Sequence, residues 1–200
     1  SFKPRGLIRS DTFSLPIGDK FTLENYVTAF KRVDIGTAYV NSIVISGAVT
    51  VVVMVLAGLA AYAMVRYSFR LRGFLHSMII ASMMFPVFST IIPVFRMESS
   101  WGIVNTGSIW LTRLSVVLPQ IAGNLSFAII VLMGFIRSLP VDLEEAAYLE
   151  GYNVYQIFFR IIMPLAKPSF ATVGIFTFLW SYNDLFLQMF FLRSKKFFTI

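Results

Sequence analysis

Four acids fall within one short stretch, at Asp142, Glu144, Glu145 and Glu150. Paired carboxylates such as Glu144 and Glu145 are the machinery of glycoside hydrolysis. Neighbours on a helix, however, point about 100° apart, so these two cannot jointly flank one bond. Other residues able to do chemistry are sparse. Asp184 is the single acid in a long apolar stretch, beside Asn183, and Gln120 and Asn124 interrupt another. Polar side chains in such stretches face a bundle interior or a wet cavity. For these four, a wet cavity and a polar helix–helix contact are both open readings. The one histidine, His76, reads as interfacial, and cysteine is absent, which excludes disulfides, thiolate nucleophiles and Cys-based metal or haem sites. A membrane enzyme needs a cluster of His, Asp, Glu or Cys near one face. The sequence offers none, so no catalytic residue and no metal site is assigned.

The elements that carry these residues must dissolve in lipid. Of 200 residues, 57% are hydrophobic and 14% charged, against roughly 25% charged in an ordinary soluble domain. The net charge of +7 comes from basic residues scattered along the chain, which points to loops beside anionic lipid and not to nucleic acid. Gaps between charges locate four spans, 41–66, 73–97, 114–137 and 168–192, each long enough to cross a bilayer as a helix. The predicted fold is therefore all-α and integral to the membrane. The first span is dense in small residues (Ser46, Gly47, Ala48, Ala57, Gly58, Ala60, Ala61, Ala63) and suits close helix packing, a partner subunit included. The second carries Pro86 and Pro93, which bend helices. Segment 1–40 reads as extracytoplasmic, with a short amphipathic helix over Phe21 to Val33 that Thr22 can cap. Loops 98–113 and 193–200 share its side. Arg66, Arg70 and Arg72, close together, favour the cytoplasm for that loop and so for 138–167. The start at Ser1 and the end at Ile200 read as the limits of an internal piece of a longer protein.

Segment 138–167 does not look like a connector. Pro140 suits a first turn, and Asp142, Glu144 and Glu145 suit a helix N-terminus. Gly151 is placed to stop that helix. Asn153, with Gln156 three residues on, spells a capping box for a second helix, whose Val154, Ile157, Phe158, Ile161 and Ile162 form an apolar stripe. Pro164 and Pro168 end it. The predicted product is two short helices at an angle on the water side of the membrane, suited to docking into a groove of a soluble partner.

The run Glu145-Ala146-Ala147, three residues, Gly151, nine residues, Ile161, one residue, Met163, Pro164 resembles the EAA loop of ABC importer permease subunits. The resemblance covers nearly the whole chain and narrows to carbohydrate-importer permeases of the maltose-type inner subunit. Phe21-Thr22-Leu23-Glu24-Asn25-Tyr26, Asn41-Ser42, Ala61-Tyr62-Ala63 with Arg66, Phe85-Pro86, Ile92-Pro93, Gly102 with Asn105-Thr106, Leu139-Pro140 and Tyr182-Asn183-Asp184 all carry it. Met163 departs from the usual Leu, and Tyr152 stands where a small residue is common. The resemblance implies a six-helix permease of which four spans are visible, multi-pass in the bacterial cytoplasmic (inner) membrane. It implies a transport subunit and not an enzyme, with no cofactor of its own, ATP and Mg being bound by a partner. The implied partners are a second permease subunit, a cytoplasmic ABC ATPase dimer, an extracytoplasmic solute-binding protein and a carbohydrate substrate. Glu144, Glu145, Ala146, Ala147, Gly151, Ile161 and Pro164 are the implied ATPase-docking residues, and for Asn183, Asp184, Gln120 and Asn124 the resemblance sets a place on a translocation path beside the polar helix–helix contact. The alternative cargo is a glycerol phosphate, amino acid, peptide or ion.

Overall fold

The computed structural model describes residues 2–192 apart from 5, 7–9, 12, 16, 19, 20, 33 and 105. The expected loop 193–200, Ser1 and Asn105 lie outside the described residues. Helix α1 covers Glu24–Arg32, its start marked by Thr22, whose hydroxyl oxygen accepts from the Glu24 N–H at 3.1 Å. Helix α2 runs over Ile35–Arg66, 32 residues, or about 48 Å at 1.5 Å per residue. Asp34 caps it, accepting from the Thr37 N–H at 3.1 Å and from the Thr37 hydroxyl at 2.6 Å. The hydroxyl bond first, then the backbone bond, holds this carboxyl below its ordinary range.

The second predicted span is not one helix. It divides into α3, Arg72–Ser82, and α4, Val87–Ser100. Pro86 lies at the break in an extended conformation; it lacks an N–H and disfavours helix at the residue before it. Helix α5 is uninterrupted over Ile109–Ser138, 30 residues with Pro119 inside. Helices α6, Asp142–Leu149, and α7, Val154–Leu165, follow, then α8, Lys167–Tyr182, and α9, Leu185–Phe191. The fourth predicted span is thus divided as well. Asp184 accepts from the Leu187 N–H at 3.1 Å and starts a new helix. Helices α7 and α8 meet at 81°. Among the described residues, α2 and α5 alone are continuous helices long and apolar enough to cross a membrane, with the bent α7–α8 pair as a third if taken as one span. The described residues contain no strand. The all-α membrane fold stands, and the second and fourth expected spans are each divided between two helices.

Helix α2 packs along α5, and α8 lies against both. Val49 and Val53 of α2, Val116, Leu132 and Ile136 of α5 and Val173 of α8 are completely buried in this seam. Of the small residues, Ser46, Ala57, Gly58 and Ala61 are buried and Ala48 and Ala63 exposed. Gly58 is where the closest approach occurs. A Cβ there would stand 2.8 Å from Phe170 Cζ and 3.0 Å from Phe158 Cζ. One ring comes from each side of the 81° corner, so both arms rest on α2 at one point. Outside the seam, Val51, Leu56, Ile175 and Trp180 are exposed, a surface that lipid tolerates and water does not.

Candidate functional site

The elbow formed by α6 and α7 is built by local rules. At the end of α6, the Tyr152 N–H donates to Ala147 O at 3.0 Å and the Gly151 N–H to Tyr148 O at 3.0 Å. Together these bonds form a Schellman turn. Its left-handed residue is Gly151, at φ +84°, a conformation that costs other residues about 1–2 kcal/mol. Asn153 then accepts from the Gln156 N–H at 2.9 Å while Gln156 accepts from the Asn153 N–H at 2.8 Å, the reciprocal box its spacing predicts. Within α7, Phe158–Ile162 widens to a π turn in which the Met163 N–H donates to Phe158 O. Pro164 explains it: the ring cannot donate and crowds the carbonyl of Arg160, four residues back.

The elbow is bolted to the end of α2. Glu144 is 4% exposed. Its carboxylate accepts from the Tyr62 hydroxyl at 2.8 Å and from Arg66 Nε at 2.5 Å. Arg66 Nη2 also donates to Leu139 O at 3.0 Å, so one guanidinium joins the end of α2, the exit of α5 and α6. Removing either member of so buried a pair leaves an uncompensated charge. The Tyr62 ring packs on Phe158 at 5.5 Å between centroids, fastening α7 to the same turn of α2. The Tyr67 and Tyr148 hydroxyls lie 3.1 Å apart; burial, and then this bond, holds the Tyr67 phenol above its ordinary range.

Of the expected docking residues, Glu145, Ala146, Gly151 and Pro164 are exposed, Ile161 is half-buried, and Glu144 and Ala147 face inward. Leu149, which the motif does not include, is 91% exposed at the tip of α6. The Glu144 partners were legible in principle: Tyr62 and Arg66 are four residues apart, hence on one face of a helix ending beside the acidic loop.

Of the four candidate path residues, Gln120 and Asp184 join two helices, and Asn124 and Asn183 bond the backbone of their own helices. Ser181 donates to Gln120 Oε1 at 2.6 Å, and Gln120 Nε2 donates to Asp184 Oδ2 at 3.3 Å. Asn124 donates to Gln120 O at 2.8 Å. Asn183 is exposed and donates to Leu179 O, in its own helix, at 2.8 Å. Gln120 and Asp184 are thus brought together, tying α5 to the α8–α9 break. One acid that sequence reasoning passed over is Glu98, which is 1% exposed. It is the only acid between Asp34 and Asp142, a signal available beforehand. Among the described residues no group of three or more His, Cys, Asp or Glu is placed to hold a metal.

Residues 32–199 match the family described as binding-protein-dependent transport system inner membrane component. The chain is 36% identical over 189 residues to the diacetylchitobiose uptake system permease protein NgcG of Streptomyces coelicolor, covering 94% of this chain and 60% of that one. It is 33% identical to the trehalose transport system permease protein SugB of Mycobacterium tuberculosis, covering 94% and 66%. To the melibiose/raffinose/stachyose import permease protein MelC of Bacillus subtilis it is 30% identical, covering 88% and 62%. The chain therefore spans about two thirds or less of the length of these relatives. In structure it is similar to a chain of a bacterial ABC transporter involved in the import of the acidic polysaccharide alginate. The TM-score is 0.76 at 24% identity, covering 90% of this chain and 61% of that one, a likeness of fold.

Proposed function

The chain belongs to the binding-protein-dependent transport system inner membrane component family, and from that we propose that it is the membrane-spanning part of a permease subunit in an ATP-driven importer of an uncharged sugar. The names of the relatives support the cargo class: diacetylchitobiose, trehalose and the melibiose group are all uncharged saccharides. In this reading the protein is a multi-pass component of a bacterial inner membrane, paired with a second permease subunit. ATP and Mg belong to a cytoplasmic ATPase dimer, and a solute-binding protein delivers cargo from outside.

The observation that carries the coupling role is the Tyr62–Glu144–Arg66 clamp. An ATPase surface closing on the exposed side of α6, at Glu145, Ala146 and Leu149, pushes an element that cannot slide independently of α2. The push is passed on as rigid-body motion of packed helices. Glu144 acts here as a positioning residue, holding the face that Glu145 presents. By reciprocity, the state of the path feeds back on ATP binding.

Leu149→Cys in the full-length subunit tests this. Expected is labelling by a membrane-impermeant thiol reagent only after the cells are opened, and cross-linking to an ATPase subunit in the assembled transporter. Labelling of intact cells from outside, or purification of the intact complex without any nucleotide-hydrolysing subunit, refutes it.

A further inference from the structure

Helix α1 is amphipathic. At about 100° per residue, Leu23, Tyr26, Val27 and Phe30 share a face about 100° wide, and Glu24, Thr28, Lys31 and Arg32 take other positions. On a helix packed against its own chain such an apolar face turns inward. Here Leu23, Tyr26, Val27 and Phe30 are all exposed, Phe30 to 65%, and α1 packs extensively on no other described helix. What α1 does engage is the segment before it. The Thr22 N–H donates to Phe2 O at 2.7 Å and Asn25 Nδ2 to Lys3 O at 2.5 Å, while the Phe2 ring lies 5.5 Å from that of Phe21 and 5.2 Å from that of Tyr26. Lys3 is buried and donates to Asp11 O at 2.7 Å. It thereby ties in a stretch whose Phe13, Leu15 and Ile17 are exposed as well, Phe13 to 98%.

The neighbouring helices set the level at which α1 lies. Arg113 Nη2 donates to Asn41 Oδ1 at 2.8 Å, which puts the start of α5 beside the start of α2. Trp110, one turn before Arg113, and Tyr39 of α2 are both exposed at that height, and Trp101 is exposed where α4 ends at the same side of the bundle. Trp and Tyr collect where hydrocarbon gives way to water, so these three mark that boundary at the first turns of α2. Length agrees, because the roughly 48 Å of α2 slightly exceeds a whole bilayer with its headgroups, about 40–45 Å. Only Val33 and Asp34 separate α1 from α2, a step of at most about 11 Å from Arg32 to Ile35. Past that joint the exposed apolar series continues through Val40, Ile43 and Val44, on the lipid-facing side of α2.

We propose that α1 lies along the bilayer surface at this end of the bundle, with Leu23, Val27 and Phe30 sunk into the boundary between headgroups and acyl chains and its polar positions toward water. The partner is the lipid surface itself, which takes up a helix with one apolar face and one polar face. Glu24 and Asp34 offset Lys31 and Arg32 in charge, so the attachment is apolar and needs no anionic lipid. Held this way, α1 and the segment tied to it fix the depth of the first turns of α2. Only the membrane fold, and not the cargo, is required for this.

The test uses the full-length subunit, assembled and reconstituted into phosphatidylcholine vesicles. The 200 residues contain no cysteine, so single replacements carry a spin label to chosen points: Leu23→Cys, Val27→Cys and Phe30→Cys on the apolar face, Glu24→Cys and Thr28→Cys off it. Val51→Cys, on the exposed side of α2, is the lipid reference. Collision of each label with oxygen, which concentrates in hydrocarbon, is compared with collision with a water-soluble nickel chelate. Expected is an oxygen-to-nickel ratio several-fold higher at 23, 27 and 30 than at 24 and 28, approaching that at 51. Adding Val27→Asp is expected to lower the ratio at 30 and leave that at 51 unchanged. Nickel reaching 27 and 30 as freely as 24 and 28 places the face in water and overturns the proposal. Few collisions with either reagent at 27 and 30 place a protein surface there, another segment of a longer chain or a partner subunit, and overturn it equally. A ratio at 30 that ignores Val27→Asp overturns it too.

Discussion

Replacing Arg66 by Leu strips the Glu144 carboxylate of its cation while leaving the Tyr62 hydroxyl in place. The two side chains are 11% and 5% exposed, so the charge left behind is shielded from water. Breaking a pair this buried costs about 3–5 kcal/mol, and the orphaned Leu139 carbonyl adds to it. Glu144→Leu alone is expected to be milder, because Arg66 lies at the end of α2 and its long side chain can reach toward water. The double replacement is the informative one. Two apolar residues of similar volume suit the site, so its stability should return to within about 1–2 kcal/mol of the original, the residual being the Tyr62 hydroxyl without its acceptor. The cycle of four proteins, unfolded thermally in the assembled full-length transporter, then yields a coupling energy of about 2 kcal/mol or more. If Arg66→Leu costs less than about 1 kcal/mol, or if the two single effects simply add, the clamp does not hold the elbow. Rigid transmission from α6 to α2 falls with it.

Gly58→Ala should cost about 1–3 kcal/mol, because the new methyl meets two aromatic rings at 3.0 Å or less. Gly47→Ala, with nothing within 4 Å, should leave thermal stability unchanged, and equal effects at the two sites would refute the packing account. Gly151→Ala should cost about 1–2 kcal/mol for its left-handed backbone and lower the cargo-stimulated ATPase rate of the assembled transporter. Asn153→Ala should cost about 1 kcal/mol by removing one half of the capping box, measured by thermal unfolding. The Tyr67 phenol is held protonated, so its bond to Tyr148 persists at neutral pH. Stability from it is fully present below the ordinary tyrosine pKa near 10, and is lost as pH rises through the higher folded value. Tyr67→Phe should abolish that alkaline component of the unfolding profile while leaving the neutral-pH side flat.

Backbone punctuation in the elbow was legible because it is local. Gly151 and the Asn153/Gln156 pair act within one turn of chain, and no distant residue can overrule a missing Cβ or a reciprocal cap. The broken second and fourth stretches were not, because a gap between charges measures affinity for lipid and says nothing about helix continuity. Pro86 was the warning in the second. In the fourth the warning was Asp184, read as a buried polar residue when its position before Leu185–Phe191 is that of an N-cap. Glu144 and Glu145 show a different limit. The 100° offset requires that they face different surroundings, but which one turns inward depends on Tyr62 and Arg66, which are 82 and 78 residues away from Glu144 in sequence. Gln120 of α5 was identified as facing inward, while its partners Ser181 and Asp184, more than 60 residues away, could not be read from spacing.

The meeting of Phe158 and Phe170 on Gly58 has a mechanical corollary. With both arms of an 81° corner seated on one spot of α2, that spot is an axle and the corner a bell crank. In the proposed importer, a shove delivered to the α7 arm would emerge in the α8 arm as tilt about the axle. Lengthening neither arm, and merely padding the bearing by one methyl, should therefore alter the stroke.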